Sequence, residues 1–159
     1  MADKKTNAMR TLDSKKIHFT PHEYGGGALS ATEVAAACGI DPMKIYKTLV
    51  TVGKSGEHYV FVVPGPGELN LKKAAKAAGE KSIEMIKQKD LLPLTGYVHG
   101  GCSPIGMKKY FQTFVNDTAQ SLDTIVISAG AIGHQIEISP EDLKKAVRFE
   151  FADVADLGE

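Results

Sequence analysis

Two apolar, β-branched runs separated by one short polar turn constrain the fold of this chain more than any other feature. Ile45 to Val52 and His58 to Val63 flank Gly53-Lys54-Ser55-Gly56-Glu57. The spacing predicts an antiparallel hairpin, because so short a connection leaves no room for a crossover and glycine supplies the turn. Further strands are predicted at Ile17 to Tyr24, Thr95 to Val98, Tyr110 to Val115, Thr124 to Ser128, Gln135 to Ile138 and Val147 to Phe151. Gly25-Gly26-Gly27 breaks regular structure after the first of them.

Helices are punctuated by caps. Asn7 to Lys15 reads as a short helix with Leu12 inward, and Ser30-Ala31-Thr32-Glu33 has capping-box spacing before an alanine-rich helix ending near Gly39. Asp41-Pro42 starts another turn. Asn70 precedes a helix over Leu71 to Ala78 with Gly79 as its stop. A weaker helical stretch is predicted over Ile83 to Leu92, and Ser139-Pro140-Glu141-Asp142 opens the last helix. Helices do not alternate regularly with strands. That pattern predicts an α+β fold: a mixed, largely antiparallel β-barrel core, which hides strand edges, surrounded by helices.

No composition shift divides the 159 residues, so a single domain spanning 1–159 is expected, with 1–6 and 155–159 as loose tails. Lysine plus arginine (19) balances aspartate plus glutamate (19). The chain therefore has no overall field to steer it toward DNA, and any nucleic-acid contact must come from local basic patches. Cys38 and Cys102 form no CxxC pattern, which argues against a disulfide framework or zinc site and for a reducing compartment. No apolar run approaches the roughly 20 residues of a membrane span, and no signal peptide is evident. A cytoplasmic protein without a membrane partner, metal or cofactor is the expectation.

Lys47 lies near the start of a core-like strand, sharing a face with Leu49 and Thr51. There it can aim a cation at a carbonyl oxygen or phosphate. Spacing alone fits as well a lysine whose stem lies on apolar surface with its head in water. The loop His99-Gly100-Gly101-Cys102-Ser103-Pro104-Ile105-Gly106 can form a concave anion site from successive backbone N–H groups, or an ordinary tight turn. Neither Cys102 nor Ser103 sits in a G-x-S-x-G elbow or has an assignable His/Asp pair, so neither reads as a nucleophile. Tyr24 can stack on a ligand or hydrogen-bond it at a cleft edge. The five histidines show no metal spacing. Lys72 and Lys73 on one helix, and Lys108-Lys109 after the glycine loop, are candidate phosphate contacts, though either cluster fits a solvated face.

Taken together, three segments resemble the YbaK/EbsC family, free-standing relatives of the editing domain of bacterial prolyl-tRNA synthetases. They are Ile45-Tyr46-Lys47-Thr48-Leu49, Glu68-Leu69-Asn70-Leu71-Lys72-Lys73-Ala74-Ala75 and Gly100-Gly101-Cys102-Ser103-Pro104-Ile105-Gly106-Met107-Lys108-Lys109. The late pair Ile125 to Gly130 and Ile136 to Ile138 fits too, so the likeness runs from about Asn7 to Asp153.

The resemblance implies a deacylase of mischarged aminoacyl-tRNA, with Cys-tRNA(Pro) as substrate, extending to Cys-tRNA(Cys), and prolyl-tRNA synthetase as a partner. It also implies that the cysteine thiol attacks its own ester. An intramolecular nucleophile gains effective molarities of roughly 10⁵ M or more, so no catalytic triad is needed. Editing is useful because a synthetase pocket separates similar small side chains by only ~1–3 kcal/mol. By the same resemblance Lys47 is the cation near the ester, and Gly100 and Gly101 form the carbonyl-holding catalytic loop. Tyr24, Ser103, Pro104 and Gln135 bind substrate, and Lys72, Lys73, Lys108 and Lys109 meet tRNA. Gln135 stands where the family carries an aspartate, which opens an alternative in alanine or another small residue. A non-catalytic module docking on tRNA or a synthetase is the other alternative.

Overall fold

In the computed structural model, which describes residues 5–24 and 30–157, the chain enters through helix α1 (Asn7–Ser14). Thr6, assigned to the tail by sequence, is buried and caps α1 by accepting from the Met9 amide. Strand β1 (Thr20–Glu23) is shorter than predicted, its pairing confined to His134–Glu137 of the partner strand. Gly25-Gly26-Gly27 lies outside the described residues. Helix α2 (Ala31–Cys38) carries the full Ser30/Glu33 capping box, and a 3-10 turn (Pro42–Lys44) follows.

The hairpin forms as predicted from β2 (Tyr46–Gly53) and β3 (His58–Pro64), with Tyr46 opposite Pro64 and Val52 opposite His58. A short strand β4 (Glu68–Leu69) then leads into helix α3 (Leu71–Ala78), capped by Asn70 and ended by Gly79. The predicted helix over Ile83 to Leu92 is corrected. Ile83–Met85 is a strand, β5, because the far edge of β2 at Thr51–Gly53 offers it backbone partners. Helix α4 (Gln88–Thr95) starts later and ends on Thr95, the first residue of the strand predicted at Thr95 to Val98, and residues 96–98 form no strand. The Thr95 hydroxyl donates to Leu91 O and accepts from the Tyr97 amide, and Gly96 ends the helix. Strands β6 (Gln112–Asn116), β7 (Ile125–Ala131) and β8 (His134–Ile138) follow, then helix α5 (Pro140–Ala146) and strands β9 (Glu150–Ala152) and β10 (Ala155–Asp156). Ala155 and Asp156 are not loose, since they pair with Leu69 and Glu68.

The strands form a five-stranded sheet β5-β2-β3-β6-β9, a three-stranded sheet β1-β8-β7 and the pair β10-β4. In the large sheet β6 runs parallel to both β3 and β9, whereas the other named pairings are antiparallel. The α+β class and the mixed, largely antiparallel core are as expected, but among the described residues the barrel is not closed. The sheets stay open, joined by a single parallel bridge between Ile45 and Val126.

From Tyr59 to Val63 strand β3 is an unbroken apolar run, as suits a strand buried on both faces. Val60 and Val62 pack with Ile125, Ile127, Ile136 and Ile138 of the small sheet. Tyr59, Phe61 and Val63 pack with Ala74 and Ala75 of α3. Each such side chain is worth about 1.5–3 kcal/mol when buried. The inner residues of β7 and β8 thus fill the core, and their alternates Val126, Ser128, Gln135 and Glu137 turn to the opposite face.

Candidate active site

That opposite face is one wall of a cleft of about 340 Å³, near the lower end of the range in which small ligands bind. Ser128 and Gln135 come from the small sheet and Tyr24 from just after β1, Ser30 and Val34 from the cap and first turn of α2, and Ile45 to Leu49 from the entry and first half of β2. Leu91, His99, Gly100 and Cys102 close the far side. Ser128 and Gln135 face one another directly across β7 and β8. A larger hollow of about 470 Å³ beside α5 contains none of the predicted residues.

The β2 segment is available to a ligand because the sheet leaves it uncovered. β5 pairs only with Thr51–Gly53, so among the described residues Tyr46 to Leu49 form an open edge. Ile86 N–H donates to Val50 O where the paired part of this edge ends, and strand alternation turns the peptide groups of Thr48 the same way. The Thr48 hydroxyl is buried with no hydrogen-bond partner among the described residues. Such a group costs about 1–3 kcal/mol unless something pairs with it.

Lys47 Nζ lies 3.9 Å from Glu68 Oε2, a loose ion pair whose carboxylate side chain is 84% exposed. The cation is therefore not spent on a tight partner. Across the cleft, Gly101 N–H donates to Val98 O in a tight turn. Gly100 adopts φ +88° there, a conformation that requires glycine.

The aminoacyl-tRNA editing domain family model matches residues 26–146. A protein of Enterococcus faecalis named for Cys-tRNA(Pro)/Cys-tRNA(Cys) deacylation, EbsC, is 47% identical over 152 residues, covering 94% of this chain and 93% of that one. The chain belongs to the aminoacyl-tRNA editing domain family. Proline–tRNA ligase of Shouchella clausii is 28% identical over 114 residues, covering 71% of this chain but 20% of the ligase. A crystal structure described as a trans-editing enzyme for prolyl-tRNA synthetase superposes with TM-score 0.85 at 24% identity, covering 97% of this chain and 99% of that one. At that identity the likeness carries the fold.

In this editing domain four of the predicted residues, Lys47, Tyr24, Gly100 and Gln135, meet in the cleft. Gln135 is only 6% exposed, so its amide is available to little besides a cleft occupant and its immediate neighbours. Gly101 departs from the expected role. Its N–H is bonded within the turn, and a Cβ there would come within 3.2–3.3 Å of the Ala131–Ile132 backbone. It is a close-packing glycine against the β7–β8 turn. Ser103 and Pro104 are buried behind the loop rather than lining the cleft, and the Ser103 hydroxyl accepts from the Ile105 amide. They shape the wall without forming its surface. Cys102 does line it, but burial pushes its thiol up to about 12, which leaves it inert near neutrality.

None of the four predicted tRNA lysines lines the cleft. Lys73 pairs with Asp153 at 3.1 Å, Lys72 is exposed, Lys108 lies 3.5 Å from Pro93 O, and Lys109 sits over the Phe111 ring. Sequence reasoning missed Thr48, Ser128 and His99 as wall residues. Thr48 carried a signal, since it adjoins Lys47 in the Y-K-T run. Ser128 carried none, because only the register of β7 on β8 places it opposite Gln135.

Proposed function

We propose that this editing domain removes misattached cysteine from Cys-tRNA(Pro), and from Cys-tRNA(Cys), as a free-standing deacylase. The observation that carries the reading is the meeting of Lys47 and the Gly100 turn in one small cleft, although 53 positions separate them in sequence. The 47% identity to EbsC supports the substrate class.

The residues fit chemistry in which the substrate supplies its own nucleophile. The cysteinyl sulfur attacks the ester carbonyl carbon and loses its proton. The carbonyl oxygen gathers negative charge, and the C–O bond to the ribose breaks. The ribose oxygen leaves as a hydroxyl after gaining a proton, and a cysteine β-thiolactone departs, which water later opens to cysteine. Lys47 holds the ester oxygen or the adjacent phosphate, Thr48 offers at the same edge a hydroxyl with no partner among the described residues, and Gly100 lets the wall approach the carbonyl closely. Tyr24 and Gln135 bound the amino-acid end. Holding the reacting shape is the protein's task, and intramolecular attack contributes the rest. Cys102 takes no covalent part, because its thiol is kept protonated.

Lys72 and the Lys108-Lys109 pair are the candidates for tRNA phosphates, with Lys73 shared with Asp153. On a chain of zero net charge these local lysines bind tRNA weakly alone, and prolyl-tRNA synthetase adds selectivity. The reaction takes place in the cytoplasm, where charged tRNA resides. Both cysteines are free, in keeping with a reducing compartment, and no described helix is long and apolar enough to cross a membrane.

Gln135 favours a second reading, a deacylase for alanine or another small residue. A neutral amide cannot take a proton or pair with a cation as a carboxylate does. Incubation with Cys-tRNA(Pro), Cys-tRNA(Cys) and Ala-tRNA(Pro), following ester loss, separates the two. Loss of cysteine with release of the thiolactone supports the first reading. Hydrolysis of alanine at an equal or higher rate supports the second, and tRNA binding without turnover of any ester refutes both.

A further inference from the structure

We propose that Glu137 is a positioning residue, one that holds the start of β2 against the small sheet and so sets the width of the cleft. The proposal rests on the reading of that cleft as the editing site. Glu137 lies two residues from Gln135 on the same face of β8, and it does not itself line the cleft. Its carboxylate gathers three segments. Lys44 Nζ donates to Oε2 at 3.0 Å, His22 Nε2 donates to Oε1 at 2.9 Å, and the Thr124 hydroxyl donates to Oε2. Lys44 ends the turn before β2, His22 is on β1, and Thr124 precedes β7.

The location gives this cluster its leverage. The two sheets that wall the cleft are bridged at this end by one backbone contact, Ile45 to Val126. The Lys44–Glu137 ion pair is the side-chain tie next to it. Three residues beyond Lys44 comes Lys47 and then Thr48, whose hydroxyl has no partner among the described residues, both on the open edge of β2. Two residues before Glu137 comes Gln135, and Tyr24 follows two after His22. Each arm of the cluster therefore leads directly into a cleft wall. The Glu137, His22 and Lys44 side chains are 23–28% exposed, shielded enough for the tie to be firmer than a surface ion pair. Removing the carboxylate lets the edge of β2 drift from the small sheet, and misplacement by about 1 Å costs up to roughly 100-fold in an oriented reaction.

The test uses Glu137→Gln, Lys44→Met, their double variant and Lys44→Arg, in single-turnover deacylation of Cys-tRNA(Pro) and in side-chain NMR of the unliganded protein. Glu137→Gln and Lys44→Met each lower the rate at saturating enzyme by about tenfold, while the half-saturating concentration moves less than about twofold. The double variant is no slower than either single one, and Lys44→Arg restores most of the rate because it keeps the cation. In NMR the Thr48 methyl and Lys47 side-chain signals shift in Glu137→Gln, whereas the Ile136 and Val60 methyl signals stay. Unchanged Lys47 and Thr48 signals overturn the proposal. So does a loss confined to melting temperature with the rate per folded molecule intact. A parent protein that deacylates nothing refutes the proposed function alone, because the NMR comparison still decides the role of Glu137.

Discussion

Replacing Lys47 with alanine separates a functional lysine from a structural one, and the structure sets both magnitudes. The Lys47–Glu68 contact is 3.9 Å long, and the Glu68 side chain is 84% exposed. Exposed pairs of this kind contribute about 0–1 kcal/mol. For a domain of this size a loss of 1 kcal/mol lowers Tm by roughly 2–4 °C, so Lys47→Ala is expected to melt within that interval of the parent. Its effect on chemistry is larger. Removing one preorganised group that stabilises developing oxyanion charge costs about 100- to 1,000-fold, equivalent to roughly 2.7–4 kcal/mol. The assay is single-turnover release of labelled cysteine from Cys-tRNA(Pro) at saturating enzyme, beside a thermal melt of the same preparation. Glu68→Gln is the companion variant, expected to change the rate less than about threefold because its carboxylate is loosely held. A Lys47→Ala protein that deacylates within about threefold of the parent refutes the reasoning, as does one whose lost rate matches its lost folded fraction.

Three further outcomes follow from the geometry. Thr48→Val removes a buried hydroxyl that has no described partner, so stability is expected to stay level or rise by up to about 1 kcal/mol while the deacylation rate falls about tenfold; a destabilised variant with full activity contradicts this. Cys102 in the folded protein resists alkylation by iodoacetamide at pH 8 and reacts once denaturant is added, because burial keeps its thiol protonated up to about 12; rapid labelling of the native protein, read by mass spectrometry, argues otherwise. Glu137 is held down to about 2 first by the Thr124 hydroxyl, then by His22 and Lys44. A lowered carboxylate stabilises the fold fully above its unfolded value near 4.5, and that contribution is lost as pH falls toward 2. Glu137→Gln is therefore expected to flatten the acid limb of the stability profile between those values, which denaturant titrations at several pH values measure.

Local chemistry was legible from the sequence wherever a few adjacent residues decide the backbone. The Ile45 to Val63 hairpin, the Ser30 capping box, and the Asn70 and Ser139 caps are all where the sequence puts them. So is the turn at Gly100, where positive φ needs glycine. The same kind of reading failed at Ile83–Met85. Three residues have no strong preference of their own, and a free edge at Thr51–Gly53 made them a strand. It failed again at Thr95, whose hydroxyl bonds within its own helix terminus.

The candidate site divides along the same line. Lys47, Tyr24, Gly100 and Gln135 were named from sequence, but nothing local could say that they face one hollow. Gly101 looked equivalent to Gly100 until packing against Ala131 and Ile132 gave it a different task. Ser128 joined the wall through strand register, and Glu137 gathered partners from three distant segments. Caps and turns are closed by hydrogen bonds spanning a few residues, so the chain carried those instructions in short words. Which strand edge stays open, and which side chains meet across it, depends on pairings between segments far apart, and only the assembled sheets decided it.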